Sequence, residues 1–216
     1  MIVGARNRDM NDLWYAQAVK NPEGNTVPNA AIESILKMDD LQDEGSTRPG
    51  LWLESCKCHS MYNATLATRI DPRGFEGDLR QRLRGARSPD YLCIWMNTPQ
   101  NRAQLGISPS DTIMPNERSE LYPLAMAICF GVVNHYRPTH GWDDLVTLLQ
   151  NGNAVVGSQI VGHSIMFKGY DDETGLLIYV DPYAARQPRT WKDMHMDRAT
   201  HDSEIKPFIN VFPEEC

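Results

Sequence analysis

The sequence lacks both a long apolar segment and an excess of basic residues. Its 216 residues include 21 Lys and Arg against 28 Asp and Glu, a net charge of −7. This balance argues against nucleic-acid binding, because phosphate contacts need a basic surface. The most apolar stretch, residues 121–133, is interrupted by Pro123 and is shorter than the roughly 20 residues that span a bilayer. The sequence therefore predicts neither a nucleic-acid partner nor membrane insertion.

A secretory leader and a disulfide scaffold are also missing. Residues 1–10 become polar almost at once and have no apolar core of the kind that a signal peptide carries. The cysteines number 5, which is odd, in a chain long enough to bury its own core. We therefore expect one domain over residues 1–216, reduced thiols, and a cytoplasmic location or export by a route without a Sec signal peptide.

Helical periodicity dominates the first half of the chain. Apolar residues recur at helical spacing over residues 12–20, 30–41, about 58–68, 119–136 and 142–150. Residues 69–118 are rich in Arg, Pro, Gly, Ser and Asn, and this composition predicts an irregular connection. The half formed by residues 1–118 is therefore expected to be mainly helical.

The last third of the chain is typical of a sheet. Strand-forming residues predict strands over residues 154–159, 163–168, 176–181 and 205–212. Residues 169–175 form a short connection of the kind that joins two antiparallel strands in a hairpin. Helices followed by an antiparallel sheet indicate an α+β fold, with residues 119–216 as its sheet-bearing half.

His163 begins one of these strands and Asp181 ends the next. In an antiparallel hairpin those two ends are neighbours, and a carboxylate beside an imidazole fixes its tautomer and favours its charged form. Such a pair serves as the base that activates a nucleophile. The candidate nucleophiles are Cys56 and Cys58, since a thiol at a helix start is favoured as thiolate by the helix dipole.

The residues around this pair resemble the papain-like cysteine peptidases, and among them the bacterial branch that trims double-glycine leaders. In that branch a Gly-His strand runs to Gly-Tyr-Asp, and the next strand ends in Asp-Pro. The matching residues here are Gly162-His163, Gly169-Tyr170-Asp171 and Asp181-Pro182. The resemblance covers residues 142–183 and implies a papain-like fold, with a nucleophile helix packed on the sheet. It also implies a Cys-His-Asp triad that works without a cofactor.

The nucleophile region departs from the family pattern. The family places a Gln shortly before its Cys to bind the developing oxyanion, and neither Gly50 nor Trp52 can replace it, which leaves Gln17, Gln42, another donor or a degenerate site. The sequence also offers two cysteine frames. We favour Cys58, with Cys56 as the second choice, because the residues after Cys58 better fit the helix that follows the family's nucleophile.

The resemblance implies hydrolysis of an amide through an acyl-enzyme. Peptides, proteins and peptidoglycan stem peptides are the expected substrates, and a bacterial effector, toxin or phage protein would suit a chain without a Sec signal. One alternative is a catalytically inactive papain-like domain that binds protein. Another is a zinc site built on Cys56, Cys58 and His59, although no second pair of ligands follows at a typical spacing.

Overall fold

The computed structural model shows helices packed on an antiparallel sheet. It describes residues 1–20, 26–28, 55–82, 89, 92, 95–96, 98–108, 110, 118–183 and 193–215. The helices are α1 (Cys56–Thr68), α2 (Pro72–Arg82), α3 (Pro99–Gln104), α4 (Tyr122–Phe130), α5 (Trp142–Gln150) and α6 (Arg198–Glu204), with a 3-10 turn at Ser119–Leu121. The strands are β1 (Ile2–Gly4), β2 (Ala18–Lys20), β3 (Thr26–Pro28), β4 (His135–Arg137), β5 (Ala154–Gln159), β6 (Ser164–Asp171), β7 (Leu176–Val180), β8 (Met194–Met196) and β9 (Ile205–Phe212).

Seven strands form the main sheet, in the order β4-β9-β5-β6-β7-β8, with β1 also paired to β6. Every pairing is antiparallel, and the β5–β6 ladder places Ser158 opposite Ser164. The β6–β7 register shifts between Phe167 and Gly169, which leaves Lys168 in a bulge. The predicted α+β, papain-like fold is confirmed. β2 and β3 form a separate two-stranded sheet.

The two faces of the sheet bury different apolar sets, as strand alternation requires. Val156 and Met166 face the core that contains α1 and α4, whereas their neighbours Val155 and Ile165 face a second core under α5. α5 contributes Trp142, Leu145, Leu148 and Leu149 to that second core. The sheet is therefore covered on both faces.

α1 is buried along its whole length, and each of its 13 side chains is classed as buried. Its Tyr62 ring packs against the rings of Tyr15 and Phe130, with centroids 5.1 and 6.0 Å apart. Buried polar side chains need hydrogen-bond partners, and several of those on α1 find them within the core. The Asn63 side chain bonds both the N–H and the C=O of Tyr15, at 2.8 and 3.1 Å.

The residues before β2 close the structure over one end of α1. The Asn7 amide donates to the carbonyls of Leu66 and Arg69 at 2.7 and 2.8 Å. Lys168, from the β6 bulge, is buried beneath this segment and bonds Asn11 at 3.0 Å and Asp193 at 2.7 Å. The N-terminal segment is thus held by α1 and by the sheet together.

Local patterns predicted the sheet-bearing half well. The structure has a helix at 142–150 and strands at 154–159 and 205–212, as predicted. The helix predicted from about Cys58 begins two residues earlier, at Cys56. The helical prediction over 119–136 holds only to Phe130, because Gly131 adopts a left-handed conformation with φ of 68° that ends α4.

Two predictions for the helical half are wrong. No helix forms over residues 12–20. The side chain of Asn63 forms hydrogen bonds with the backbone N–H and C=O of Tyr15, and a strand begins at Ala18. The stretch 69–118, predicted to be irregular, contains α2 and α3. The helix predicted over residues 30–41 lies outside the described residues. Among the helices that the structure describes, none has the length and apolar character needed to cross a bilayer.

Glycine is required at position 169, where β1 pairs with β6. A Cβ atom at this position would lie 2.8 Å from the backbone carbonyl oxygen of Val3. We predict that Gly169→Ala lowers the free energy of unfolding by about 1–3 kcal/mol, because a strand must shift to admit the methyl group. Equilibrium denaturation followed by circular dichroism measures this change.

Gly77 provides the matched control, since it is exposed on α2 and a Cβ there would meet nothing within 4 Å. We expect Gly77→Ala to leave stability unchanged or to raise it by up to about 1 kcal/mol, as alanine favours a helix. Equal losses in both variants would contradict the proposed clash at Gly169.

Candidate active site

His163 and Asp181 meet at the end of the β6–β7 hairpin. His163 immediately precedes β6 and Asp181 immediately follows β7, so the antiparallel pairing places them side by side. The Nε2 atom of His163 lies 2.6 Å from Oδ1 of Asp181. The same carboxylate oxygen accepts the backbone N–H of Tyr183 at 2.8 Å. Asp181 is therefore held in place, and it fixes the orientation of the imidazole.

Cys56 lies on the other side of the same imidazole. It is the first residue of α1, and its side chain is hydrogen-bonded to His163. Burial by itself lowers the pKa of His163, but the hydrogen bonds and charges of Asp181 and Cys56 outweigh it and raise that pKa to about 10. The arrangement thus favours an imidazolium between a carboxylate and a thiol.

Cys58 points elsewhere. Two residues turn an α-helix by about 200°, so the side chains of Cys56 and Cys58 leave opposite sides of α1. The Cys58 thiol is completely buried and lies 3.4 Å from the hydroxyl of Tyr122. Of the two cysteine frames, the structure brings Cys56 to His163 and places Cys58, the frame favoured from the sequence, in the core against α4.

His59 is turned back towards the start of α1. Its Nδ1 atom lies 3.0 Å from the carbonyl oxygen of Ser55 and 3.2 Å from the Ser55 hydroxyl. Cys56, Cys58 and His59 therefore do not converge on one point, as a zinc site on these three residues would require. Within the described part of the chain, no group of three or more His, Cys, Asp and Glu side chains is arranged to hold a metal ion.

Gln17 is brought to the site by the N-terminal segment. Its backbone N–H donates to the carbonyl of Pro182 at 3.0 Å, next to Asp181, and two residues earlier Tyr15 is bonded to Asn63 of α1. The segment 15–17 therefore bridges the helix of Cys56 and the strand end of Asp181. The Gln17 side chain is 1% exposed. Gln42, the other glutamine considered from the sequence, lies outside the described residues.

The remaining motif residues have structural roles. Asp171 accepts the N–H of Glu173 at 3.1 Å and the hydroxyl of Thr174 at 2.8 Å, which closes the hairpin turn. The turn also draws down the pKa of the Asp171 carboxyl, mainly through the Thr174 hydrogen bond. Asp171 therefore stabilises the turn, at the end of the hairpin opposite to His163 and Asp181.

A comparison with known families finds a match that covers the β6–β7 hairpin. Residues 97–203 match the model of the Peptidase_C39 like family, a range that includes His163 and Asp181 and begins after Cys56. No curated protein shows significant similarity to the chain. The family supports a cysteine peptidase activity in general terms, with peptide or protein as the substrate. Residues 97–203 are similar to the Peptidase_C39 like family, and the resemblance to papain-like cysteine peptidases of the double-glycine leader branch is confirmed.

Proposed function

We propose that the protein hydrolyses peptide or isopeptide bonds with Cys56 as the nucleophile, His163 as the acid–base group and Asp181 as the residue that orients it. The observation that carries the proposal is the contact of His163 with both Cys56 and Asp181. The proposal gives the role of nucleophile to Cys56 rather than Cys58, because Cys58 lies against Tyr122.

The acylation step follows from this geometry. Nε2 of His163 is bound to Asp181, so Nδ1 is the ring nitrogen that serves the thiol. The Cys56 thiolate attacks the substrate carbonyl carbon, and the carbonyl oxygen becomes an oxyanion. The imidazolium then donates its proton to the leaving nitrogen as the C–N bond breaks, which leaves a thioester on Cys56 and a free amine.

Deacylation reverses the role of His163. The neutral imidazole accepts a proton from a water molecule, whose oxygen attacks the thioester carbonyl. The C–S bond breaks, the carboxylic acid product leaves, and the proton on His163 restores the thiolate–imidazolium pair. Asp181 keeps the ring in one orientation through both steps.

Gln17 and the start of α1 are the proposed oxyanion donors. The N–H groups of a first helical turn point out of the helix end, and Cys56 occupies the first position of α1. The segment 15–17 carries Gln17 to the junction of α1 with Asp181-Pro182. A side-chain amide there replaces the glutamine that the family places shortly before its nucleophile.

The substrate class follows from the reaction. Attack by a thiolate on an amide carbonyl is the same chemistry for a main-chain peptide bond and for an isopeptide bond, so peptides, proteins and peptidoglycan stem peptides share the reacting group. A bacterial effector, toxin or phage protein remains our prediction for the biological setting. The alternative, an inactive domain that binds protein, makes a different prediction about Cys56.

The first prediction concerns the thiols. We expect iodoacetamide at pH 7 to modify Cys56 at least about tenfold faster than Cys58 or Cys129, because Cys56 is hydrogen-bonded to the His163 imidazolium. Mass spectrometry of the digested full-length chain measures each rate. Cys58→Ala should leave the labelling of Cys56 unchanged, and His163→Ala should slow it. Uniformly slow labelling of all three thiols would favour the inactive protein-binding domain.

The second prediction concerns Asp181. Asp181→Asn removes the charge that favours the imidazolium, so we expect the pKa of His163 to fall by about 1–3 from its value near 10. NMR titration of isotope-labelled histidine measures it. Asp143 is exposed and forms an ion pair with Arg198, so Asp143→Asn is the control and should leave the pKa of His163 unchanged.

The same pair makes stability depend on pH. The pKa of His163 is raised in the folded chain from 6.5 to about 10, so its contribution to stability is fully present below about pH 6.5 and is lost as the pH rises through 10. The stability difference between the wild type and Asp181→Asn should shrink over that interval. A difference that grows with pH would contradict the assignment.

A third prediction separates the oxyanion role of Gln17 from the reactivity of the thiol. Alkylation forms no oxyanion, so Gln17→Ala should leave the labelling rate of Cys56 unchanged. Hydrolysis of a proteome-derived peptide mixture, followed by mass spectrometry of new termini, should slow by about 10²–10³-fold. Equal losses in alkylation and hydrolysis would show that Gln17 only supports the structure.

A further inference from the structure

Lys57, the residue after Cys56, is buried without a carboxylate beside its amine among the described residues. Its side chain is 0% exposed, and its Nζ atom donates to the hydroxyl of Ser158 at 3.2 Å and lies 5.9 Å from the centroid of the Phe208 ring. Burying an ammonium group in this way is unfavourable. Packing alone would be better served by an apolar side chain of the same length, so the amine calls for another explanation.

Ser158 links Lys57 to Ser164, the residue that follows His163. Ser158 on β5 pairs with Ser164 on β6, and their hydroxyl oxygens are 3.3 Å apart. The Ser60 hydroxyl on α1 donates to the backbone carbonyl of Ser164 at 3.0 Å. The Ser158 hydroxyl accepts from Lys57 and shares a hydrogen bond with the Ser164 hydroxyl, in which either group can be the donor. Two side chains of α1 thus hold the first residue of β6.

Each end of this hydrogen-bonded link lies next to a member of the proposed catalytic pair. Lys57 follows Cys56 on α1, and Ser164 follows His163 at the start of β6. We propose that Lys57 is a positioning residue, which acts through Ser158 and Ser164 to hold the start of α1 against the start of β6 and so sets the separation of Cys56 and His163. This inference rests on the proposed role of Cys56 as the nucleophile.

The charge of Lys57 changes near neutral pH. Burial lowers its pKa from 10.5 to about 7, although the thiols of Cys56 and Cys58 act in the opposite direction, and Lys206 on β9 adds to the lowering. The protonated amine donates a stronger hydrogen bond to Ser158 than the neutral amine does.

A positioning role and a purely structural role differ in what removal of the amine does. Lys57→Met keeps the length of the side chain and removes the buried amine, so the folded chain should be as stable as the wild type or more stable. The link to Ser158 is lost at the same time. Positioning therefore predicts that stability is kept while the reactivity of Cys56 falls.

The experiment compares the full-length wild type with Lys57→Met, Ser158→Ala and the double variant. The iodoacetamide labelling rate of Cys56 at pH 7 should fall about tenfold or more in Lys57→Met, because small displacements of reacting groups carry large rate costs. Ser158→Ala should also slow the labelling. The double variant should be no slower than Lys57→Met, since both residues act through one link. Ser203→Ala, which removes the hydroxyl of an exposed serine on α6, is the control and should label at the wild-type rate.

Denaturation at several pH values supplies a readout of the amine itself. The pKa of Lys57 is lowered in the folded chain, so the unfolded chain binds more protons between pH 7 and 10.5 and wild-type stability gains with pH over that interval. The stability advantage of Lys57→Met over the wild type should therefore be largest at or below pH 7 and should vanish towards pH 10.5. A stability advantage that stays constant with pH would contradict the lowered pKa of the buried Lys57 amine.

The outcomes separate the two proposals. Slow labelling of Cys56 in the wild type would overturn the proposed function. Rapid labelling in the wild type together with an unchanged rate in folded Lys57→Met would overturn the positioning role alone. If Lys57→Met fails to fold, Ser158→Ala decides: a slower rate supports the link, and the wild-type rate overturns it.

Discussion

The complete burial of α1 is the constraint on which the site depends. A helix enclosed on all sides leaves its polar side chains no access to water, so each must be paired inside the protein. Those pairs run to the elements that complete the site: Asn63 bonds the segment that carries Gln17, and Ser60 bonds the residue after His163. The position of Cys56 is therefore set by hydrogen bonds as well as by packing.

Burial acts on two basic side chains of this interior with opposite outcomes. It disfavours the charged form of both His163 and Lys57. Asp181 lies 2.6 Å from His163 and reverses the effect, so the pKa of the imidazole rises to about 10. Lys57 is bonded to a hydroxyl instead, and burial lowers its pKa to about 7. The carboxylate of Asp181 thus keeps His163 protonated at neutral pH, whereas Lys57 titrates close to that pH.

The hairpin motif contains structural residues and proposed catalytic residues, and the sequence pattern alone does not distinguish them. Gly169 admits β1 at a distance too short for a side chain, and Asp171 closes the turn. His163 and Asp181, at the other end of the same two strands, form the proposed catalytic pair. The residues that stabilise the hairpin therefore lie near its turn, and the proposed catalytic pair lies at its open end, a strand length away.

The sequence by itself determined the elements whose signals are local. The periodicity over 142–150 and the strand residues at 154–159 and 205–212 correspond to α5, β5 and β9, and the hairpin pattern placed His163 beside Asp181. Tertiary structure decided the rest. Tyr15 is kept out of a helix by Asn63, a contact between distant parts of the chain. Likewise, the sequence contained both cysteine frames, but the rotational position of α1, fixed by packing on all sides, directs Cys56 to His163 and Cys58 to Tyr122.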